Sequence, residues 1–173
     1  KFSCVRYGNV IGSRGSIVEI LLKNKNMNKV YITHEEMTRF WITLEQSFAT
    51  VVFALANMKG SEIFIPKIPS MKIVDLFEIL APGVEKEIIG IRPGEKLHEA
   101  LLTKEESRHA LELEKYFVIL PEFKNDLVLE ERYHDYFTAG KRPPENYFYS
   151  SDCNCDNLNR EDFLKIIAEY HNY

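Results

Sequence analysis

The chain has no excess of positive charge: 22 Lys and Arg stand against 26 Asp and Glu in 173 residues, a formal net charge of −4. The signs are mixed along the chain, which leaves no basic stripe for a nucleic-acid duplex or an anionic membrane, so neither partner is expected. It also has no long apolar run. The longest, Phe48 to Met58, falls far short of the roughly 20 residues that span a bilayer. No charged-then-apolar leader opens the sequence, and a soluble cytoplasmic protein is expected. Cysteine is scarce and odd in number, with Cys4, Cys153 and Cys155, which fits a reduced compartment rather than a disulfide scaffold. The stretch Asp152 to Asn157 imitates the opening of a calcium loop, but Asn157 replaces the turn glycine and Phe163 stands where a bidentate Glu is needed. No second Cys/His pair follows at zinc spacing, so no metal is expected. Catalytic signatures are equally absent: none of the nine tyrosines has a Lys four residues on, and there is neither a nucleophile elbow nor an HExxH.

What remains is patterning. The length corresponds to about one domain at ~150 residues each, and 45% apolar residues are enough for a core. Lys1 is not Met, and Phe2 to Tyr7 already reads as a strand, so the sequence is expected to start inside an element with something missing upstream. Three glycines in Gly8 to Gly15 form a loop, and Ser16 opens a helix to about Lys25. Val30 to Thr33 predicts a strand and Met37 to Ile42 an extended segment. Leu44 to Met58 predicts a helix apolar on more than half its circumference, hence sandwiched in the core. Glu62 to Ile65 is a strand, Pro66 to Ser70 a turn, Lys72 to Leu80 a helix and Glu87 to Ile91 another strand. Lys96 to Leu113 reads as partly helical, Tyr116 to Leu120 as a strand, and Leu129 to Phe137 as an acidic amphipathic piece. A break at Gly140 to Pro144 and an aromatic stretch at Tyr147 to Tyr149 precede a last helix from about Asn159 to Tyr170. Alternating strands and helices indicate an α/β fold, and the absence of a linker predicts one compact unit over residues 1–173.

Few residues carry candidate chemistry. The glycine loop between strand and helix is suited to a phosphate, although its GxxxGxxG spacing is not the dinucleotide fingerprint GxGxxG. Asn9 within it can donate and accept, which suits a diphosphate or a sugar hydroxyl; an Asn tolerated in a left-handed turn is the plain alternative. Arg39, among Met37, Phe40 and Trp41, needs an anion, either a ligand's or an internal carboxylate. Arg92 sits in a Pro-Gly turn just past a strand end, where open α/β sheets bind ligands. Two arginines, each after its own strand, could converge on one diphosphate. His98 and Glu99 read first as a solvated face. Tyr31 to Thr33 suit either a base or a plain core strand.

The strings VRYGNVIGSRGS (5–16), MTRFWIT (37–43), EIFIPKIPSMKI (62–73) and IIGIRPGEKLHE (88–99) resemble, in that order, the C-terminal half of the inverting UDP-N-acetylglucosamine 4,6-dehydratases. These are extended short-chain dehydrogenase/reductases of pseudaminic-acid and capsule pathways. The resemblance runs from about Phe2 to Glu112, and more loosely through Tyr147 to Ser151. It implies the C-terminal part of a Rossmann-like fold with its substrate-binding subdomain. In that family NADP+ oxidises the sugar at C4, water is lost across C5 and C6, and the hydride returns to C6 with inversion at C5. The resemblance further implies that Asn9 contacts substrate near the diphosphate and that Arg39 and Arg92 grip the UDP phosphates. Glu95 would stand at the ribose or the turn, Tyr31, Ile32 and Thr33 by the uracil, and the Tyr7 and Gly8 backbone by the nicotinamide. The family's NADP-binding and catalytic N-terminal half has no counterpart in these residues, so no catalytic residue is assigned here. The implied partners are a UDP-sugar, that half or a complementary chain, and copies of itself when intact. A nucleotide-sugar 4-epimerase portion and a non-catalytic interaction module remain open on the same residues.

Overall fold

The structure is a computed structural model and describes residues 1–24, 27–122, 126–154 and 156–170; Cys155 lies outside them. The first half of the chain forms β1 (Cys4–Val5), β2 (Asn9–Val10), α1 (Ile17–Lys23), β3 (Lys29–Ile32), β4 (Thr38–Ile42) and α2 (Leu44–Asn57). There follow β5 (Ile63–Pro66), β6 (Ser70–Lys72), α3 (Ile73–Leu80) and β7 (Glu85–Ile88). The remainder forms β8 (Ala100–Leu102), α4 (Lys104–Ser107), β9 (Ala110–Glu112), β10 (Tyr116–Ile119), α5 (Asp126–Arg132), α6 (His134–Ala139), β11 (Tyr149–Ser150) and α7 (Arg160–Tyr170). The fold is α/β. None of the described helices is long and apolar enough to cross a membrane.

The single unit expected from composition resolves into two compact units, each drawn from three separate stretches of chain. Because the chain passes repeatedly from one to the other, no linker marks the division in the sequence.

The first unit comprises residues 1–7, 45–67 and 100–150. Its four-stranded sheet runs β1-β5-β10-β9, with β1 parallel to β5 and the other pairs antiparallel, so β1 is an edge. Phe64, Leu111, Val118 and Tyr133 fill its core together with Ala54 of α2. The expectation that α2 is sandwiched is corrected here: Phe48, Val52 and Leu55 are exposed. At helical spacing these three share one face, and α2 carries two apolar stripes of which the core covers only one. Lys96 to Leu113, read as helical in part, contains one helical turn, α4, between the short strands β8 and β9. Thr103 opens that turn in a capping box with Glu106, and Arg6 meets the Glu106 carboxylate with two bonds of 2.9 Å. Pro66, expected to stop a ladder, is the last residue of β5 and sits opposite Tyr116. At a strand's final position the missing N–H breaks nothing.

Glu62 organises the same unit. It is 1% exposed, and its carboxylate accepts from Ser3 Oγ at 2.5 Å and Gly60 N at 2.8 Å, and also from Lys59 N. Tyr136 donates to it at 3.4 Å and to Asn57 O at 2.7 Å, while Tyr133 donates to Gly60 O at 2.6 Å. Burial pushes this carboxyl upward, but the bonds from Ser3, Lys59 and Gly60 outweigh it, and Glu62 titrates below its ordinary range. Gly60 turns here with φ of 114°, a conformation that favours glycine.

The second unit comprises residues 8–44, 68–99 and 151–173. A three-stranded sheet, β2-β4-β6, pairs β2 parallel and β6 antiparallel to β4. A parallel pair, β3 and β7, stands beside it in sequence, with Lys29 bridging Glu85 and Glu87. β7 starts two residues before the expected strand, and every residue from Glu87 to Gly94 is exposed. Val18, Leu21, Trp41, Leu76, Phe77 and Phe163 belong to the core, so α1, α3 and α7 each bury one face of their periodic pattern.

Candidate functional site

The loop after β2 folds back on itself. Ser13 N donates to Val10 O at 3.3 Å, and Gly12 and Gly15 adopt left-handed φ of 73° and 75°, which glycine reaches without a Cβ clash. Ser16 then caps α1 by accepting from Glu19 N at 3.2 Å. Glu19 in turn takes the amide of Gly15, and Lys23, bonded at 2.6 Å, holds its carboxyl below the ordinary range. The amide that the sequence offered to a phosphate thus meets an internal carboxylate, on a helix of seven residues. Asn9 lies in β2 opposite Trp41 rather than in a left-handed turn, and its exposed side-chain amide makes no hydrogen bond among the described residues.

Gly8 is explained by packing. A Cβ there would stand 2.5 Å from Phe40 Cβ and 2.6 Å from Phe40 O, on β4. That glycine is required by the neighbouring strand, and the requirement does not by itself open room for a nicotinamide ring.

Arg39 is 8% exposed on a strand buried throughout. Its Nη1 donates to Thr38 O at 2.7 Å and Leu97 O at 3.1 Å, and its Nη2 to Lys96 O at 2.8 Å. Glu99 approaches Nε at 3.6 Å, and Glu95 approaches Nη2 at 3.9 Å. The guanidinium therefore has internal partners on every side: three carbonyls and two carboxylates. Nearby, Thr38 N donates to Leu97 O at 3.2 Å, and Thr38 Oγ1 contacts His98 Nδ1 at 2.8 Å and Ser151 Oγ at 2.6 Å. Ser151 Oγ accepts from Glu99 N at 2.9 Å. Residues 96–99 are thus stitched to β4, and His98 takes part in that stitching rather than standing on a solvated face.

Just before this anchored stretch lies the turn that carries Arg92. Glu95 N donates to Arg92 O at 3.0 Å, and Arg92 N donates to the Glu95 carboxylate at 3.3 Å, so Glu95 closes the turn. Gly90 and Gly94 bracket it with φ of 83° and 81°. The Arg92 side chain is exposed and makes no hydrogen bond or ion pair among the described residues.

Asn9, Tyr31, Ile32, Thr33, Arg39, Arg92 and Glu95 all line one cleft of about 440 Å³. The three β3 residues contribute unequally. Tyr31 is 59% exposed, Ile32 is in the core, and the Thr33 hydroxyl donates to Met37 Sδ at 3.2 Å. Arg14 also lines the cleft. Sequence reading passed over it, since an arginine in a polar loop has no local signal. Trp41, another wall residue, is buried, and its indole N–H meets no acceptor among the described residues. Tyr7 belongs to the first unit and does not line the cleft. A second cleft of about 550 Å³, in the first unit, is lined by Phe53, Leu113, Tyr116 and Tyr136. Phe53 and Tyr116 stack at 4.1 Å, and the rim pair Lys59–Asp135 closes at 2.6 Å, so its groups already satisfy one another.

Several known proteins are similar to this chain. The model of the family described as polysaccharide biosynthesis protein matches residues 1–121. The inverting UDP-N-acetylglucosamine 4,6-dehydratase of Campylobacter jejuni is 41% identical over 174 residues, covering 96% of this chain and 51% of that protein. A UDP-glucose 4-epimerase of Rickettsia felis is 33% identical, covering 95% of this chain and 48% of its own length. The X-ray structure of Pen from Bacillus thuringiensis superposes with a TM-score of 0.78 at 32% identity, over 98% of this chain and 49% of that one. The chain spans about half the length of these relatives.

Proposed function

Because this chain belongs to the polysaccharide biosynthesis protein family, we propose that it is the UDP-sugar-binding portion of an NADP-dependent, inverting UDP-N-acetylglucosamine 4,6-dehydratase, a hydro-lyase. The observation that carries this reading is the cleft. It gathers Asn9, Tyr31, Arg39, Arg92 and Glu95 from four separate stretches of chain, and these groups suit the parts of a UDP-sugar. The guanidinium of Arg92 answers the charge of a diphosphate, with Arg39 adding positive potential from the wall. The Asn9 amide suits a phosphate oxygen or sugar hydroxyl, and the exposed Tyr31 ring suits the face of a uracil, beside Ile32 and Thr33. Glu95 holds the turn that presents Arg92.

NADP+, when bound, would accept a hydride from the sugar and return it. Tyr7 and Gly8 are the residues of this chain proposed beside it, through their backbone. The family's other half would hold the rest of the cofactor and the proton-transfer groups, and this chain binds and orients. That half, in the same chain or a complementary one, is the proposed cover for the β1 edge and for Phe48, Val52 and Leu55 on α2, since exposed strand edges and apolar stripes otherwise promote association. Marginal stability or self-association of this chain alone follows, with a homo-oligomer for the intact protein. The match to a UDP-glucose 4-epimerase favours a second reading, a 4-epimerase portion, which needs the same diphosphate site.

Calorimetry with UDP and with uridine tests the shared step. UDP is expected to bind at least tenfold more tightly than uridine, since charge-assisted bonds to phosphate contribute more than about 1.4 kcal/mol. A chain that binds neither, or both equally, overturns the proposal.

A further inference from the structure

In the second unit a run of polar groups meets in a definite order, on residues that do not line the cleft. Glu99 N donates to Ser151 Oγ at 2.9 Å, Ser151 Oγ and Thr38 Oγ1 stand 2.6 Å apart, and Thr38 Oγ1 and His98 Nδ1 stand 2.8 Å apart. Thr38 is 6% exposed and Ser151 3%, so each hydroxyl has to find its partners within the chain. A hydroxyl has one hydrogen to give and two lone pairs to accept with, and an amide N–H only gives. The direction of donation along the run therefore hangs on His98. With no hydrogen on Nδ1, Ser151 donates to Thr38 and Thr38 donates to Nδ1, and every hydrogen in the run has an acceptor. With a hydrogen on Nδ1, His98 donates to Thr38 and Thr38 has to turn its own hydrogen to Ser151. The Ser151 hydrogen is then stranded, since Ser151 Oγ meets only Glu99 N and Thr38 Oγ1 among the described residues. A buried hydroxyl left in that state destabilises the arrangement.

We infer that His98 is a positioning residue that carries its ring hydrogen on Nε2, and that the run from Glu99 through Ser151 and Thr38 to His98 is a proton-sensitive latch. What it holds is the segment that follows the Arg92 turn. Ser151 N also donates to Glu99 O at 2.8 Å, so Glu99 is gripped at both of its backbone groups, and Thr38 N donates to Leu97 O at 3.2 Å. An imidazolium carries hydrogens on both ring nitrogens, so protonation of His98 imposes the stranded arrangement and loosens the grip on Glu99. Charges stand on every side. Glu36, on the turn before β4 with His34 and Glu35, interacts electrostatically with His98 and is bonded to Lys72 of β6 at 2.8 Å. Arg39 of β4 lies beside Glu99 and Glu95, Lys96 and Glu99 flank His98 on its own segment, and Asp152 follows Ser151. These groups bias how readily His98 takes a proton, but the tally of hydroxyl hydrogens is the same whatever they do. The latch goes beyond the nucleotide reading and does not rest on it, because every group in the run belongs to the chain.

Magnetic resonance on the full chain tests both parts. At about pH 8, above the usual imidazole range, the long-range nitrogen–proton couplings of the ring, assigned by their loss in His98→Asn, are expected to place the hydrogen on Nε2. A hydrogen on Nδ1 overturns the proposal. Amide exchange, expressed as protection relative to an unstructured peptide, then follows Glu99 N and Ser151 N. Ile11 N, which donates to Ile42 O at 2.9 Å in the same unit, is the reference. From about pH 8 to about pH 5.5 protection at Glu99 and Ser151 is expected to fall at least about tenfold, while Ile11 holds. In His98→Asn the amide oxygen can accept from Thr38 as Nδ1 does but takes up no proton in this range, so protection should stay high at both ends. Should that variant fail to fold, Thr38→Val, which cuts the run in the middle, is expected to show lowered protection at Glu99 that no longer changes with pH. No fall in the wild type, a fall shared by Ile11, or a fall that survives in either variant overturns the latch.

Discussion

Around Glu62 a buried carboxylate receives Ser3, Lys59, Gly60 and Tyr136, whereas at the rim of the cleft the side chains of Arg92 and Asn9 make no hydrogen bond among the described residues. Both regions concentrate polar groups on turns shaped by positive-φ glycines. They differ in where the opposite charge or dipole comes from. In the first unit it comes from the chain itself, and removing one member leaves several buried donors orphaned. At the cleft rim it must come from outside. Arg39 falls on the Glu62 side of this division although it stands in the cleft wall, because residence in a cleft and availability to a ligand are separate properties.

The division predicts that the largest effect comes from breaking the satisfied knot. Glu62→Ala orphans the amides of Lys59 and Gly60 and the Ser3 hydroxyl at once, and a loss of about 3 kcal/mol in unfolding free energy is expected. Urea titration at neutral pH checks this, and a loss under about 0.5 kcal/mol would put Glu62 in the same class as Arg92.

A smaller effect follows from pH. Glu62 titrates below its ordinary value near 4.5 when folded, and so does Glu106, chiefly through its bond from Arg6. Between the folded and unfolded values the unfolded chain binds more protons. The stabilisation is therefore complete above the unfolded value and is lost as pH falls through the folded one. Unfolding midpoints should decline as pH drops from about 5 towards 3, and Glu62→Gln should lower the midpoint at pH 7 while making the acid decline shallower. An unchanged slope in that variant would show that Glu62 does not carry the linkage.

Much of the fold was legible because periodicity and caps are local. α1, α3 and α7 lie within a residue or two of their predicted bounds, and Asn159 and Ser16 cap as their positions suggest. Lys96 to Leu113 was legible only in part: its helical turn was expected, but Ala100–Leu102 pairs with β11 far away in sequence, and the short hairpin of Ala110–Glu112 with β10 carried no turn signal that was read. The Thr103–Glu106 capping box that opens that turn was present in the sequence but was overlooked. Glu62 gave no sign either, for it heads an apolar strand and nothing in the sequence says that Ser3, Lys59, Gly60 and Tyr136 all donate to it. At the site, the grouping of Asn9, Arg39 and Arg92 was legible from motif order, but their availability was not. Whether an arginine has free donors depends on carbonyls nearly 60 residues away, as Leu97 and Lys96 are from Arg39.

The smallest expected effect is the most diagnostic. If the Arg92 side chain holds no internal partner, neutralising it removes no native interaction, and Arg92→Gln should leave the unfolding free energy within about 0.5 kcal/mol of wild type. Salt should hardly alter that difference, since no native ion pair is there to be screened. Arg6→Gln is the matched control. It is a partly exposed arginine whose two bonds to Glu106 are both 2.9 Å, and its loss should cost about 1–2 kcal/mol. A cost for Arg92→Gln as large as that for Arg6→Gln would mean that Arg92 already serves the fold, and the distinction between satisfied and available arginines would fail at the residue where it matters most.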